Sequence, residues 1–179
     1  RIKLDLTGLV VYTEAATGPF AVTAAAAAAA GAVEVIALAR SSRHGTAADA
    51  QKAVHCLAEM LGVSSRIRFV GEKSSSDVAT ADIITNSGHV RPIDAEMVSW
   101  MKPTAVVPLM YEGWEFRPGE IDLVACRRKG IPVAGTNEQH PDLALFSLLG
   151  PALRMLLLRG GVQVLGRSVV LVCDNPFLP

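Results

Sequence analysis

Three clusters of side chains in this chain combine types that hold anions or move protons. Arg40, Ser41, Ser42 and Arg43 set two guanidiniums and two hydroxyls in a row, a set able to grip a phosphate through bidentate, charge-assisted hydrogen bonds. Asn86, Ser87 and Gly88 form a polar turn in which an amide can donate and accept at once and a glycine admits close backbone approach. His89 and Arg91 follow it directly and offer a hold on an anionic substrate. The third cluster, Gly135 to His140, contains Asn137, Glu138 and His140. A carboxylate beside an imidazole raises its pKa toward working pH, so Glu138 and His140 are the candidate proton-transfer pair, with Asn137 a candidate substrate contact. The same polar side chains also suit the free N–H groups of a helix opening at Pro141, and both roles stand open. Glu14 and Glu112 complete the set.

These residues fall between elements that the hydrophobic pattern defines. Apolar runs of strand length, rich in valine and isoleucine, are expected at Leu9–Thr13, Val33–Ala39, Arg66–Val70, Asp82–Thr85, Ala105–Leu109, Pro132–Ala134 and Val169–Cys173. Their near-continuous apolarity is that of strands buried on both faces. Segments of helical period separate them: Phe20–Ala30, made of small residues, then Ala47–Leu61, Asp94–Met101, Pro118–Lys129 and a long apolar helix over Pro141–Arg159. Thr46 and Asp94 are placed to cap helix N-termini, and Gly62, Gly130 and Gly160 to end helices. The alternation predicts an α/β fold with a doubly wound, mostly parallel sheet and helices on both faces, of the Rossmann-like type.

In such a fold the ligand lies at the carboxyl ends of the strands. The turn after the first strand, with Thr17 and Gly18, is where a pyrophosphate would meet a helix N-terminus, although a GxGxxG run is absent and only Gly18 remains. Arg40, Ser41 and Arg43 stand where the adenosine ribose is read, and basic and hydroxyl groups there suit a ribose phosphate, favouring NADP over NAD. Asn86, Ser87 and Gly88 complete the expected cofactor set. His89, Arg91, Glu112 and Asn137 are the expected substrate contacts. Tyr111, Trp114 and Phe116 could line an apolar pocket or pack, whereas His44 and His55 show no partner pattern.

The stretch from Ala81-Asp-Ile-Ile-Thr85 through Asn86-Ser-Gly88, Pro92-Ile93, Met101-Lys-Pro103 and Ala105-Val-Val107 resembles the fourth-to-fifth strand region of the cofactor domains of S-adenosylhomocysteine hydrolases. It is also similar to the NADP domain of methylenetetrahydrofolate dehydrogenases. That resemblance covers roughly Arg66 to Asp122 and implies that Asn86, Ser87 and Gly88 pack on the nicotinamide-side ribose. A second passage, Glu120-Ile-Asp-Leu-Val-Ala-Cys-Arg-Arg-Lys-Gly-Ile-Pro-Val-Ala134, resembles the end of the substrate domain of D-2-hydroxyacid dehydrogenases. There a long helix leads on to a cofactor domain. Both imply an oxidoreductase of α/β type, but they differ on which domain this is.

The totals narrow the classes. With 50% apolar and 19% charged residues the chain is globular, and 17 basic residues balanced by 17 acidic ones leave no net field for nucleic acid or an anionic membrane. Three cysteines far apart form neither a disulfide framework nor a zinc site, which fits a reducing, cytoplasmic setting and no metal. The small-apolar run Ala24–Ala30 is much shorter than the roughly 20 residues of a membrane span. No HExxH, GxSxG or P-loop is present. The opening strand and its turn to Pro19-Phe20 are echoed by the closing strand and its turn to Pro176-Phe177. The expectation is therefore a domain over 1–160 and, over 161–179, a linker and the first strand of a second, truncated α/β unit. The broad apolar helix calls for a covering surface, either that missing domain or another copy of the chain in a homo-oligomer such as a dimer. The leading expectation is an NAD(P)-dependent oxidoreductase, or its dinucleotide-binding domain, acting on a small molecule; the alternative is a Rossmann-like domain without cofactor, serving as a binding or assembly module.

Overall fold

The computed structural model describes residues 4–137, 140, 143, 148–168 and 170. They fall into two compact units, residues 1–136 and 137–179. The first unit ends with the last described strand.

In that unit β1 (Val10–Ala15), β2 (Glu34–Ala39), β3 (Ile67–Val70) and β4 (Ile83–Ile84) form a parallel sheet in the order β3-β2-β1-β4. Strands β5 (Val107–Glu112) and β6 (Val133–Thr136) pair in parallel alongside it. The two are joined by the parallel bridge Ile83 to Val106, in which the Ile84 N–H donates to the Val106 carbonyl and the Val106 N–H to that of Asp82. The running order is thus 3-2-1-4-5-6, reversing between β1 and β4.

Alternation along the strands sorts the core onto two faces. Tyr12, Ile36 and Leu38 face Val78, Met97, Val98, Met101 and Cys126, the side of α3 (Ser75–Thr80), α4 (Ala95–Trp100) and α5 (Leu123–Lys129). Val11, Ala15, Val35, Ala37 and Ala39 face α1 (Val22–Ala29) and α2 (Ala47–Met60). Ala24, Ala25 and Ala28 are fully buried; the side chains of α1 are small where it meets the sheet, which lets its backbone lie close to β1.

Local signals place most helix ends. Thr46 and Asp49 make a reciprocal capping box at α2, and the Asp94 carboxylate accepts from the Met97 N–H at α4. Gly130 ends α5, Gly160 ends α6 (Leu149–Arg159) in the second unit, and Gly62 comes one residue after the Leu61 cap of α2. Three expectations change. The first helix is preceded by a 3-10 turn, Gly18–Ala21, with Pro19 in its first turn, where a missing N–H costs no helical hydrogen bond. The helix expected from Pro118 starts at Leu123, since residues 117–120 form a turn and Asp122 is the cap, accepting from the Ala125 N–H. The short helix α3, capped by Ser74, was not foreseen. The start of the helix expected at Pro141 and nearly all of the strand expected at Val169–Cys173 lie outside the described residues. Among the described residues no helix is long and apolar enough to cross a membrane, and no group of three or more His, Cys, Asp or Glu side chains could hold a metal ion.

Asp82 straps the centre of the sheet. Its carboxylate accepts from the Val10 N–H at 2.9 Å and pairs with Lys102 at 2.6 Å, and Lys102 also donates to the Thr80 carbonyl. Burial works against the charged carboxylate, but the Lys102 and Val10 hydrogen bonds outweigh it and hold the pKa below the ordinary value. A depressed pKa means stability that is present above the unfolded pKa and is lost as pH falls through the folded one. Asp82→Asn therefore lowers the urea midpoint at neutral pH, by about 1–2 kcal/mol in stability. The gap to wild type narrows in melts taken below about pH 4. A gap that stays constant with pH would show that the charge contributes nothing.

Candidate functional site

At the carboxyl ends of the strands, over the β1/β4 reversal, the first unit has a cavity of about 710 Å³. That is within the range of small-ligand and cofactor pockets. Three loops build it.

The first leaves β1 as Ala16-Thr17-Gly18-Pro19. Gly18 has φ +61°, a left-handed conformation that glycine takes without strain, and nothing lies within 4 Å of where a Cβ would be. Thr17 gives no side-chain cap to the 3-10 turn. Its hydroxyl instead donates to the His44 carbonyl at 3.2 Å, leaving the first-turn N–H groups without a side-chain acceptor, as an anion site requires.

The second loop leaves β2 and folds back on itself through a Ser42 to Gly45 bridge. It brings Arg40, Ser42, His44 and Thr46 to the cavity wall. Arg40 is exposed and makes no hydrogen bond or ion pair among the described residues. Its charge is felt nearby: Lys73, whose pKa is lowered first by burial, is lowered further by Arg40, while Asp94 acts in the opposite sense. Arg43 and Ser41 do not line the cavity. The Arg43 Nε–H donates to His44 Nε2 at 3.1 Å, and the Ser41 hydroxyl accepts from the Ala47 N–H at 3.0 Å, at the start of α2.

The third loop follows β4. The Asn86 side-chain oxygen accepts from the Met110 N–H at 2.7 Å, tying β4 to β5. Asn86 is 1% exposed, and among the described residues its Nδ2 meets no partner in good hydrogen-bond geometry, although it acts as a weak donor that lowers the Tyr111 pKa. The hydroxyls of Thr13, Thr85 and Ser87 form a cluster with separations of 2.8 to 3.3 Å. Glu14 reaches across from β1 so that its Oε2 accepts from the His89 N–H at 2.9 Å. A Cβ on Gly88 would overlap that oxygen, and Gly88 has φ +28°. Glycine is the residue this close approach tolerates.

Beside this loop, Ile93 bridges Ile121, which brings Glu120 to Arg91. Arg91 and Glu120 pair at 2.5 Å, Arg117 stands at 3.8 Å, and the Tyr111 hydroxyl donates to the other Glu120 oxygen. Burial raises the Tyr111 pKa most, and the Glu120 carboxylate raises it further. Tyr111 therefore stays protonated, as a donor, at neutral pH.

Of the residues expected from sequence, Thr17, Gly18, Arg40, Asn86, Ser87, Gly88, His89 and Arg91 line one cavity. Glu112, at the end of β5, does not. Asn137 and His140 belong to the second unit, where the His140 N–H donates to the Asn137 carbonyl; Glu138 lies outside the described residues. Glu14, Ser42 and Tyr111, also singled out in the sequence, line it too, and the cavity adds His44 and Met110 to the wall. Position alone could have pointed to His44, four residues after Arg40 in the same loop. The Glu120 contact with Arg91 and Tyr111 left no local signal.

No protein-family model matches the chain, and no curated protein matches it. Solved structures do. A dipicolinate synthase chain from Bacillus subtilis aligns over 87% of this chain with TM-score 0.55 and 20% identity. Its counterpart from Bacillus halodurans aligns over 85% with TM-score 0.54 and 18% identity. The chain is a Rossmann-like α/β domain. A shikimate 5-dehydrogenase from Listeria monocytogenes, solved in complex with shikimate and NAD, aligns over 73% with TM-score 0.53 and 16% identity. The Rossmann-like chain spans about half the length of these proteins: 47%, 47% and 46% of theirs. At these identities the likeness is one of fold.

Proposed function

We propose that this domain binds a nicotinamide dinucleotide along the carboxyl edge of its sheet, prefers NADP to NAD, and serves an oxidoreductase acting on a small molecule. The observation that carries the reading is Arg40: a guanidinium unpaired among the described residues, at the end of β2 and on the wall of a cavity over the β1/β4 reversal. In NAD-binding domains an acid at that strand end accepts the ribose hydroxyls. Here the strand runs into Arg40, Ser41 and Ser42, and the nearest acid beyond, Asp49, is engaged in the α2 capping box. A phosphorylated ribose matches that chemistry.

The remaining residues fit the group. The uncapped N–H groups at Gly18 suit a pyrophosphate, and the Asn86 to Gly88 turn suits the nicotinamide half. When bound, the cofactor supplies hydride transfer; the protein supplies placement and electrostatics. In this reading the substrate lies toward His89 and Arg91 on the cavity wall. Proton transfer is assigned to Glu138 and His140 on the chemistry of the pair alone. The solved dehydrogenase in complex with NAD supports the choice of ligand class by analogy of fold.

One observation favours a second reading. The Glu14 carboxylate lines the same cavity and a glycine fingerprint is absent, which suits a Rossmann-like binding module that holds no dinucleotide. Titrating the intact protein with NADPH and NADH, followed by nucleotide fluorescence, separates the two. Saturable binding with NADPH tighter by about tenfold or more, the worth of one charge-assisted contact, is the expected result. Absence of binding by either nucleotide would sink the dinucleotide reading in favour of the module.

A further inference from the structure

Among the described residues the cavity wall carries one carboxylate, that of Glu14, half-buried near the carboxyl end of β1. Its place is fixed: Oε2 accepts from the His89 N–H at 2.9 Å and lies where a Cβ on Gly88 would be. Among the described residues no cation pairs with it. Arg91, the cation of the β4 loop, is matched by Glu120 at 2.5 Å, and Arg117, 3.8 Å from that same carboxylate, is exposed, where water and salt screen it. Arg40 stands at the end of β2, on the far side of β1 from β4. The cavity is therefore polarised across β1, positive toward β2 and negative toward β4.

We infer, resting on the dinucleotide reading, that Glu14 discriminates between the two redox states of the cofactor and makes the bound cofactor a stronger hydride donor, so that the domain serves reduction of its substrate. The oxidised and reduced forms share every phosphate, ribose and adenine. They differ in the nicotinamide ring, which is cationic when oxidised and neutral when reduced. The Gly88 and His89 backbone that Glu14 touches belongs to the turn given to the nicotinamide half. A fixed carboxylate there attracts the cationic ring, and being half-buried it is screened less than a charge in open water. Its repulsion of the phosphates is common to both forms and cancels in their ratio. Tighter binding of the oxidised form lowers the potential of the bound couple, by about 30 mV for each tenfold. In the step so favoured, a carbonyl carbon of the substrate takes the hydride with its electron pair, its oxygen takes a proton from water, and Glu14 stabilises the positive charge left on the ring.

A carboxylate that only satisfies the His89 N–H would act on both redox forms alike. Glu14→Gln separates the two roles, because glutamine keeps an oxygen for that N–H and loses the charge. NADP+ and NADPH are titrated by calorimetry into the same preparations of the intact protein, of Glu14→Gln and of Arg40→Ala, and the ratio of the two dissociation constants is read for each. An unfolded fraction lowers the stoichiometry for both ligands and leaves that ratio alone. The expected result is a ratio shifted toward NADPH by about fivefold in Glu14→Gln, whereas Arg40→Ala weakens both forms and keeps the ratio of the intact protein. A ratio unchanged in Glu14→Gln, whether the two affinities hold or fall together, or a shift toward NADP+, would overturn the inference and leave the dinucleotide reading standing. Failure of the intact protein to bind either nucleotide would overturn both.

Discussion

Arg40→Ala is expected to weaken NADPH by about 10–100-fold and to leave NADH within about twofold, because a hydrogen-bonded charge pair contributes about 1.5–3 kcal/mol. The guanidinium is exposed and makes no contact among the described residues that the fold needs. The melting temperature should therefore hold, and the loss can be read as ligand binding alone. Arg40→Lys keeps a charge without the planar fork and should fall between. Added salt should erode the NADPH preference of wild type and leave the alanine variant indifferent, since an exposed ion contact is screened over about 10 Å at 0.1 M. Isothermal titration with both nucleotides at two salt concentrations measures all of this. Equal weakening of NADH and NADPH would mean that Arg40 senses a part of the ligand common to both, and the preference for a phosphorylated ribose would fail.

Gly88→Ala should act through Glu14. The new Cβ would occupy the place of Oε2, and the carboxylate, being the far end of a flexible side chain, must swing away. The His89 N–H then loses its acceptor, and alanine must hold φ +28°. The two terms together cost about 2–4 kcal/mol, which for a chain of this size lowers the melting temperature by several degrees. The steric term exists only while Glu14 is present. In a Glu14→Ala background the same glycine substitution should therefore cost less, with a coupling of about 1 kcal/mol or more in a double-mutant cycle from chemical denaturation. Additive effects would show that the two residues do not meet.

Much of the fold was legible because its signals are local. Valine and isoleucine runs marked six described strands, period marked α2, and Thr46 and Asp94 marked the starts of α2 and α4, since a cap hydrogen bond spans only three residues. The local reading is incomplete where two uses of a residue compete. The Ser41 hydroxyl, expected at a ribose, also accepts from the Ala47 N–H at the start of α2. Pro118 looked like a helix start, yet Asp122 provides the cap. The six residues of α3 are too few to show a period.

What tertiary structure alone decided is which side chains meet. Glu14 and His89 are 75 residues apart, Thr17 and His44 27, Arg91 and Glu120 29. Residue type told that Arg40, Asn86 and Gly88 could bind a ligand, and strand order told which edge would hold it. That Glu14 is pinned by the His89 N–H, and that Arg91 is already matched by Glu120, follows from packing across the β1/β4 reversal. The physical reason is a difference of range. Backbone preference and capping act within a turn of chain and are written in consecutive residues, whereas a cavity wall is assembled by sheet pairing, where partners distant in sequence are brought within hydrogen-bond reach.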